Sequence, residues 1–199
     1  MGRSTEPRIA GVLLAAGAAR RFGRPKQLAV VDGVTLVRRS AQALLDAGLP
    51  LLVITGAHAE AVLEALQGLP FEHCHNGDWA QGMGRSIGAA FERLLPRTHV
   101  EAALIALCDQ PRIGADALRR LLAAHQRMPD GITASSFDGV TGPPCIFARR
   151  DFASLARLDG SVGARALIEA QADRLQRVNL PEAALDIDTP EQYRTLVGG

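Results

Sequence analysis

IAGVLLAAGAARRFGRPKQ, residues 9 to 27, is the stretch whose reading decides the fold. Ile9 to Leu14 form a short apolar run flanked by glycine and small residues, which fits a strand buried in a parallel sheet better than a helix. In open α/β sheets ligands sit beyond the carboxyl ends of the strands, so any chemistry belongs to the residues that follow. Ala15, Ala16 and Gly17 carry almost no side chain, and Gly17 is free to adopt the positive φ that turns successive N–H groups toward one point. Arg20, Arg21, Arg24 and Lys26 then add four cations with no acid between them. Arginine offers forked contacts to phosphate oxygens, lysine a compact point charge. Together these features read as a polyphosphate loop. A glycine turn after a strand also serves simple chain reversal, and the rest of the chain has to decide between the two.

Two standard nucleotide signatures are missing. Lys26 follows Pro25 and precedes Gln27, so there is no G-x-x-x-x-G-K-[ST] loop, and no G-x-G-x-x-G opens a helix. The 199 residues and 21.1 kDa suit one domain over residues 8–199, preceded by a flexible lead-in, Met1 to Pro7. A chain of this size buries roughly 70% of its unfolded surface. The net charge of +1 makes the cationic loop a local concentration and not part of a basic nucleic-acid surface. Cys74, Cys108 and Cys145 are odd in number and widely spaced, which fits a reducing cytoplasm and neither a disulfide framework nor a C-x-x-C site. No apolar run approaches the roughly 18 residues of a membrane helix, so no membrane association is expected.

Strand and helix signals alternate along the chain. Helices are expected over Thr35–Leu49, Ala57–Leu66, Ser86–Leu95, Ala115–His125, Val162–Gln171 and Glu191–Leu196, and strands over Leu51–Thr55, Phe71–His75, Ala102–Leu107, Gly131–Ser136, Pro144–Ala148 and Leu175–Asn179. This order implies a three-layer α/β/α Rossmann-like sandwich around a mostly parallel, mixed sheet.

Asp109 follows the cleanest apolar strand directly and lies too far upstream to cap the helix after Gly114. A carboxylate there could hold Mg²⁺ against phosphate oxygens. In LDIDTP, residues 185–190, Asp186 and Asp188 flank Ile187, and one of the two is expected to join Asp109. Asp188 or Thr189 equally suits a helix cap before Pro190. His73 and His75 fall on one strand face but lack the further ligands of a metal site, and lone Trp79 fits packing as well as stacking.

LLAAGAARRFGRPKQ (13–27), NGDWAQGMGRSI (76–87), LCDQP (107–111) and DIDTPEQY (186–193) together resemble the MobA-like nucleotidyltransferases, and most nearly their molybdenum cofactor cytidylyltransferase branch. The resemblance spans nearly the whole chain. It implies a nucleotide-diphospho-sugar transferase-like fold and a Mg²⁺-dependent transfer of CMP from CTP to the phosphate of molybdopterin, releasing pyrophosphate. By the same resemblance Ala15, Ala16 and Gly17 line the nucleotide, while Arg20, Arg21 and Lys26 hold the triphosphate. Gly82, Gly84 and Ser86 lie near base and ribose, and Asp109 and Asp188 hold the metal. The Ala-Ala-Gly form of the loop favours CTP over GTP, and a molybdenum hydroxylase apoenzyme is a possible recipient. The chain departs from the pattern where relatives carry Gly-Asp-x-Gly-Ala-Arg, because Ser161 replaces the acid. That puts the acceptor side in question and leaves open another phosphate or sugar-phosphate acceptor, or a non-catalytic cofactor carrier. The Gly142–Phe147 stretch resembles an acceptor-side loop and also reads as a turn before a strand.

Overall fold

The computed structural model describes residues 8–19, 22–160 and 163–198. The lead-in Met1–Pro7, the loop cations Arg20 and Arg21, and Ser161 lie outside the described residues. The opening apolar run forms β1 (Ile9–Ala15). A two-stranded ribbon, β2 (Val30–Val31) and β3 (Val34–Thr35), leads into α1 (Leu36–Asp46). There follow β4 (Leu51–Thr55), α2 (Ala59–Ala65), β5 (Glu72–His75), α3 (Met83–Leu94), β6 (Ala102–Leu107) and α4 (Ala115–His125). The final third contains β7 (Ile132–Phe137), β8 (Val140–Ala148), α5 (Phe152–Ala156), α6 (Ala164–Ala170), β9 (Leu175–Asn179) and α7 (Pro190–Val197).

Seven of these strands form one sheet in the order β5-β4-β1-β6-β8-β7-β9. Only β8 runs against its neighbours; every other pairing in the sheet is parallel. This is the mixed, mostly parallel sheet expected from the sequence. Side chains alternate across it. Leu13 and Ala15 of β1, Val53 of β4 and Leu104 of β6 pack on α1, α2 and α4, while Val12, Leu14, Ile54 and Ile105 pack on α3, α5 and α6. Central strands therefore bury both faces, which explains why they read as unbroken apolar runs rather than alternating ones. On the second face Phe91 and Phe152 meet edge to face at 4.9 Å, a favoured arrangement of ring quadrupoles.

Several boundaries differ from the sequence reading for identifiable reasons. α1 stops at the glycine the sequence marks as its end: Gly48 takes φ 84°, and the Gly48 and Leu49 N–H groups bond back to the Leu45 and Leu44 carbonyls. α3 begins at Met83 instead of Ser86, since Gly82 at φ 125° lets the chain turn sharply into the helix. The Gly142–Phe147 stretch is not a turn before a strand: it lies inside β8, which is hairpinned to β7 through Asp138 and Gly139, both at positive φ. Prolines cannot donate to a ladder, and here Pro143 and Pro144 fall in the irregular step between Ala134 and Ser135, where Ser135 Oγ donates to the Gly142 and Pro143 carbonyls at 2.7 and 2.8 Å. The ribbon β2–β3 and helix α5 were not foreseen.

A small third cluster of Phe22, Ala29, Val31, Leu36 and Ile187, joined by Tyr193 and Leu196, lies apart from the two faces of the sheet. It ties the segment after β1 to the C-terminal segment carrying Asp186 and Asp188.

Candidate active site

β1 and β6 are adjacent at the point where strand order reverses, with β4 to one side and β8 to the other. Ligand sites of open α/β sheets form at such points. Beyond the carboxyl ends of β1 and β6 lies a cavity of about 360 Å³, within the range of small-molecule sites. One wall is Ala15–Ala19 with Lys26 and Gln27; another is Trp79, Ala80, Gly82, Met83 and Ser86; the floor is Leu107–Asp109, and Asp188 closes the rim.

At its centre the Lys26 ammonium donates to Asp109 Oδ2 at 2.6 Å and to Asp188 Oδ1 at 2.8 Å. Lys26 and Asp109 expose about one sixth of their side chains and Asp188 a third. Burial by itself pulls the Lys26 ammonium down, but the Asp109 and Asp188 carboxylates outweigh it and hold the lysine above its ordinary value, so it stays charged. The chain has 21 arginines and one lysine, and that lysine is Lys26.

Backbone bonds fix the triad. The Ile187 N–H donates to the Asp109 carbonyl at 2.9 Å, which docks the C-terminal segment against the end of β6. Thr189 then opens α7 with a reciprocal capping box, its hydroxyl accepting from the Gln192 N–H while Gln192 Oε1 accepts from the Asp188 and Thr189 N–H groups. The helix cap thus falls to Thr189 and leaves the Asp188 carboxylate to Lys26. Asp186, two residues earlier, does not line the cavity. Burial, then the negative charge of Asp109, pushes its carboxyl up to about 6, and its Oδ1 is buried with no hydrogen-bond partner among the described residues.

The loop after β1 departs from expectation in one respect. Gly17 does not take a positive φ; the left-handed residue is Ala19, at φ 52°. A Cβ at Gly17 would meet nothing within 4 Å, so the glycine leaves open space in the cavity and is not required for the turn. Arg24 also does not join the cavity. Its guanidinium lies 5.5 Å from the Phe22 ring centroid and 5.3 Å from that of Tyr193, rings that themselves meet edge to face at 5.7 Å. The sequence reading of Arg24 as a phosphate-facing cation is replaced by that of a strut. Arg20 and Arg21 lie outside the described residues.

On the opposite wall, Ser86 accepts from buried Asn76 Nδ2 at 3.0 Å. Gly82 lines the cavity and is wedged against Gly160, whose carbonyl oxygen would lie 2.1 Å from an added Cβ. Gly84 sits in the first turn of α3, buried and away from the cavity lining. Trp79 lines the cavity and packs so close to Gly56 that a Cβ there would come within 2.6 Å of both Trp79 Cβ and the Ala16 carbonyl oxygen. His73 and His75 instead meet the Thr55 hydroxyl, at 2.7 and 3.4 Å. No group of three or more His, Cys, Asp or Glu able to hold a metal occurs among the described residues.

Residues 11–177 match the family described as the MobA-like NTP transferase domain. The chain belongs to that family. It is 31% identical to the nicotine blue oxidoreductase of Paenarthrobacter nicotinovorans over 98% of this chain and 100% of that protein. It is 28% identical to a probable molybdenum cofactor guanylyltransferase of Bacillus cytotoxicus, over 57% of this chain and 55% of that one. Among solved structures, Rv0371C of Mycobacterium tuberculosis H37Rv in complex with manganese superposes with a TM-score of 0.79 at 28% identity, over 97% of this chain and 100% of that one. This MobA-like NTP transferase is therefore a nucleotidyltransferase by family and fold. No helix among its described residues is long and apolar enough to cross a membrane.

Proposed function

We propose that the protein is a Mg²⁺-dependent nucleotidyltransferase that moves CMP from CTP to the phosphate of a molybdopterin-type acceptor, releasing pyrophosphate. The observation that carries this reading is one lysine held between two carboxylates in a cavity at the β1/β6 switch point. Transfer at phosphorus needs positioning and charge neutralisation, and no nucleophilic side chain. The acceptor phosphate oxygen forms the new bond to the α-phosphorus while the bond to the β-phosphate oxygen breaks. Lys26, kept protonated by its setting, neutralises charge building on the leaving pyrophosphate. Ala15, Ala16 and Gly17 offer main chain to the nucleotide, with Arg20 and Arg21 as further candidates for its phosphates. Gly82 and Ser86 form the wall for base and ribose, with Gly84 behind it.

The donor set fits magnesium. Asp109 and Asp188 converge within hydrogen-bond distance of one point, and Asp109 Oδ1 is buried with no partner among the described residues. Two carboxylates with the remaining positions left to phosphate and water are what Mg²⁺ accepts. When bound there it would supply Lewis-acid polarisation of the phosphate oxygens.

CTP is favoured over GTP by the Ala15-Ala16-Gly17 form of the loop, and the acceptor by the partial likeness to a molybdenum cofactor guanylyltransferase. A molybdenum hydroxylase apoenzyme would then receive the product. The reading includes a single domain over residues 8–199 acting in the cytoplasm. Its cysteines are free thiols, and burial pushes Cys108 and Cys145 up to about 12, which leaves them unreactive. The test is pyrophosphate release with Mg²⁺, molybdopterin-type acceptor and either CTP or GTP. No release with either nucleotide removes the reading, and release with GTP alone removes the cytidylyl assignment. Turnover with sugar phosphates but not molybdopterin moves the assignment to another acceptor.

A further inference from the structure

Gln27 follows Lys26 and is 1% exposed. Its amide nitrogen donates to two carbonyls of the loop after β1, those of Ala15 at 3.2 Å and of Gly17. The carbonyl between them, on Ala16, is taken by the Ala57 N–H at 3.2 Å. Three consecutive carbonyls of the cavity wall thus have partners on the protein side. Gln27 Oε1 is buried with no partner among the described residues, so the amide is oriented by its donor end: the flipped assignment would set oxygen against two carbonyl oxygens.

The consequence follows from peptide geometry. In a trans peptide the N–H of each residue points opposite the carbonyl of the residue before it. Drawing the Ala15 and Gly17 carbonyls onto Gln27 therefore turns the Ala16 and Ala18 N–H groups to the other side of the loop. The loop cannot achieve this through a left-handed glycine, because Gly17 does not take a positive φ. An apolar side chain of equal length would fill the same space and hold nothing.

We propose that Gln27 is a positioning residue of the nucleotide site: it grips the Ala15 and Gly17 carbonyls so that the main-chain N–H groups of Ala16 and Ala18 are set to receive the phosphates of a nucleoside triphosphate. This rests on the nucleotidyltransferase reading for its ligand but not for its geometry. It also explains the tandem Lys26-Gln27. The ammonium meets the phosphates as a charge, and the neighbouring amide shapes the wall facing them. Both come from a single 3₁₀ turn, Lys26–Leu28, so the two act from one rigid element.

The test uses the full chain with Gln27→Met, which keeps length and removes the donors, and Gln27→Glu as a second variant of nearly equal shape. In ligand-free protein, hydrogen exchange of the Ala57 amide, which donates to the Ala16 carbonyl of the gripped loop, should accelerate in both variants, while amides of β4 and the melting temperature stay near wild type. Calorimetric affinity for CTP or GTP with Mg²⁺ should fall roughly tenfold or more in Gln27→Met, the usual scale for losing a residue that orients a binding group. Across a nucleotide titration, kcat should fall less than the KM for nucleotide rises. A folded Gln27→Met or Gln27→Glu protein with unchanged Ala57 exchange overturns the proposal. So does acceleration that is uniform through β4 and follows the melting temperature. If wild-type protein binds no nucleoside triphosphate, the functional reading fails while the exchange experiment still decides what Gln27 does to the loop.

Discussion

The Lys26 ammonium rests 2.6 Å from the Asp109 carboxylate across 83 residues of chain, at the point where β1 and β6 deliver their loops to one cavity. Asp188 shares the same ammonium from the far end of the chain. Two carboxylates and one lysine leave one net negative charge without ligand, and a divalent cation has to compete with Lys26 for the same oxygens.

Lys26→Met should therefore separate two affinities. Mg²⁺ or Mn²⁺ without nucleotide should bind at least about tenfold tighter, equivalent to roughly 1.4 kcal/mol, because no ammonium competes for Asp109 and Asp188. Nucleoside triphosphate affinity and turnover should fall. Removing one partner of a largely buried ion pair also costs stability, here about 3 kcal/mol at most given the residual exposure of the group. Calorimetry with metal alone checks the first effect, and metal affinity at or below wild type would show that Lys26 does not hold the carboxylates against the ion.

Two glycines of the site should respond in opposite ways. At Gly17 a Cβ meets open space and φ lies outside the left-handed region, so Gly17→Ala should leave stability unchanged or raise it by up to about 1 kcal/mol by restricting the unfolded chain. Its cost should appear in nucleotide affinity, since the methyl enters the cavity. At Gly82, φ 125° and the Gly160 carbonyl oxygen 2.1 Å from an added Cβ make the same change a backbone clash, costing at least about 2 kcal/mol. Denaturant melts of the two variants beside nucleotide titrations distinguish them; equal stabilities would contradict this account.

The parallel core was legible because strands buried on both faces must be apolar throughout. Leu51–Thr55 and Ala102–Leu107 match the sequence reading to the residue for this reason; helix Ala115–His125 matches by its helical period, and edge strand Leu175–Asn179 matches although it is only half-buried. The β2–β3 ribbon was not legible, since two-residue strands carry no period. Nor was the role of Arg24, because charge in a cationic run says nothing about which ring a guanidinium lies on. Asp109 is legible as an acid directly after a strand and Lys26 as a cation of the loop that follows β1, whereas Gln27 is not legible: its effect lies in which carbonyls it holds, and no local pattern encodes that. The Gly17 conformation was misread for a related reason, as a glycine that leaves room for a ligand and one that permits a turn look alike in sequence.

His125 gives a stability signature in mildly acidic solution. It is buried at the end of α4, its Nδ1 3.3 Å from the Thr133 hydroxyl, and burial pulls it below its ordinary value of 6.5 despite the nearby charge of Asp130. The unfolded chain thus binds the proton more readily than the fold does. The stability tied to the neutral imidazole is complete above about pH 6.5 and declines as pH falls from there toward the folded value. His125→Gln should have a shallower loss of stability across that interval than wild type, measured by urea unfolding at successive pH values. Identical slopes would mean that other groups set the acid response.

Tyr193 joins the cationic loop to the segment carrying Asp188, and its two contributions can be separated. Its hydroxyl donates to the Val30 carbonyl at 2.7 Å, while its ring takes the edge-to-face contact with Phe22 and the Arg24 guanidinium. Tyr193→Phe removes only the exposed hydrogen bond and should cost about 0.5–1 kcal/mol with turnover nearly kept. Tyr193→Ala removes the ring pair and the cation–π contact as well, each worth about 0.5–1.5 kcal/mol. It should also lower kcat/KM more than tenfold, because Ile187 and Phe22 share the cluster that seats Asp188 against Lys26. A double-mutant cycle of Tyr193→Ala with Arg24→Ala should return a coupling of about 0.5–1 kcal/mol. If kcat/KM in Tyr193→Ala falls no further than in Tyr193→Phe once stability is accounted for, the C-terminal helix holds the fold without setting the site.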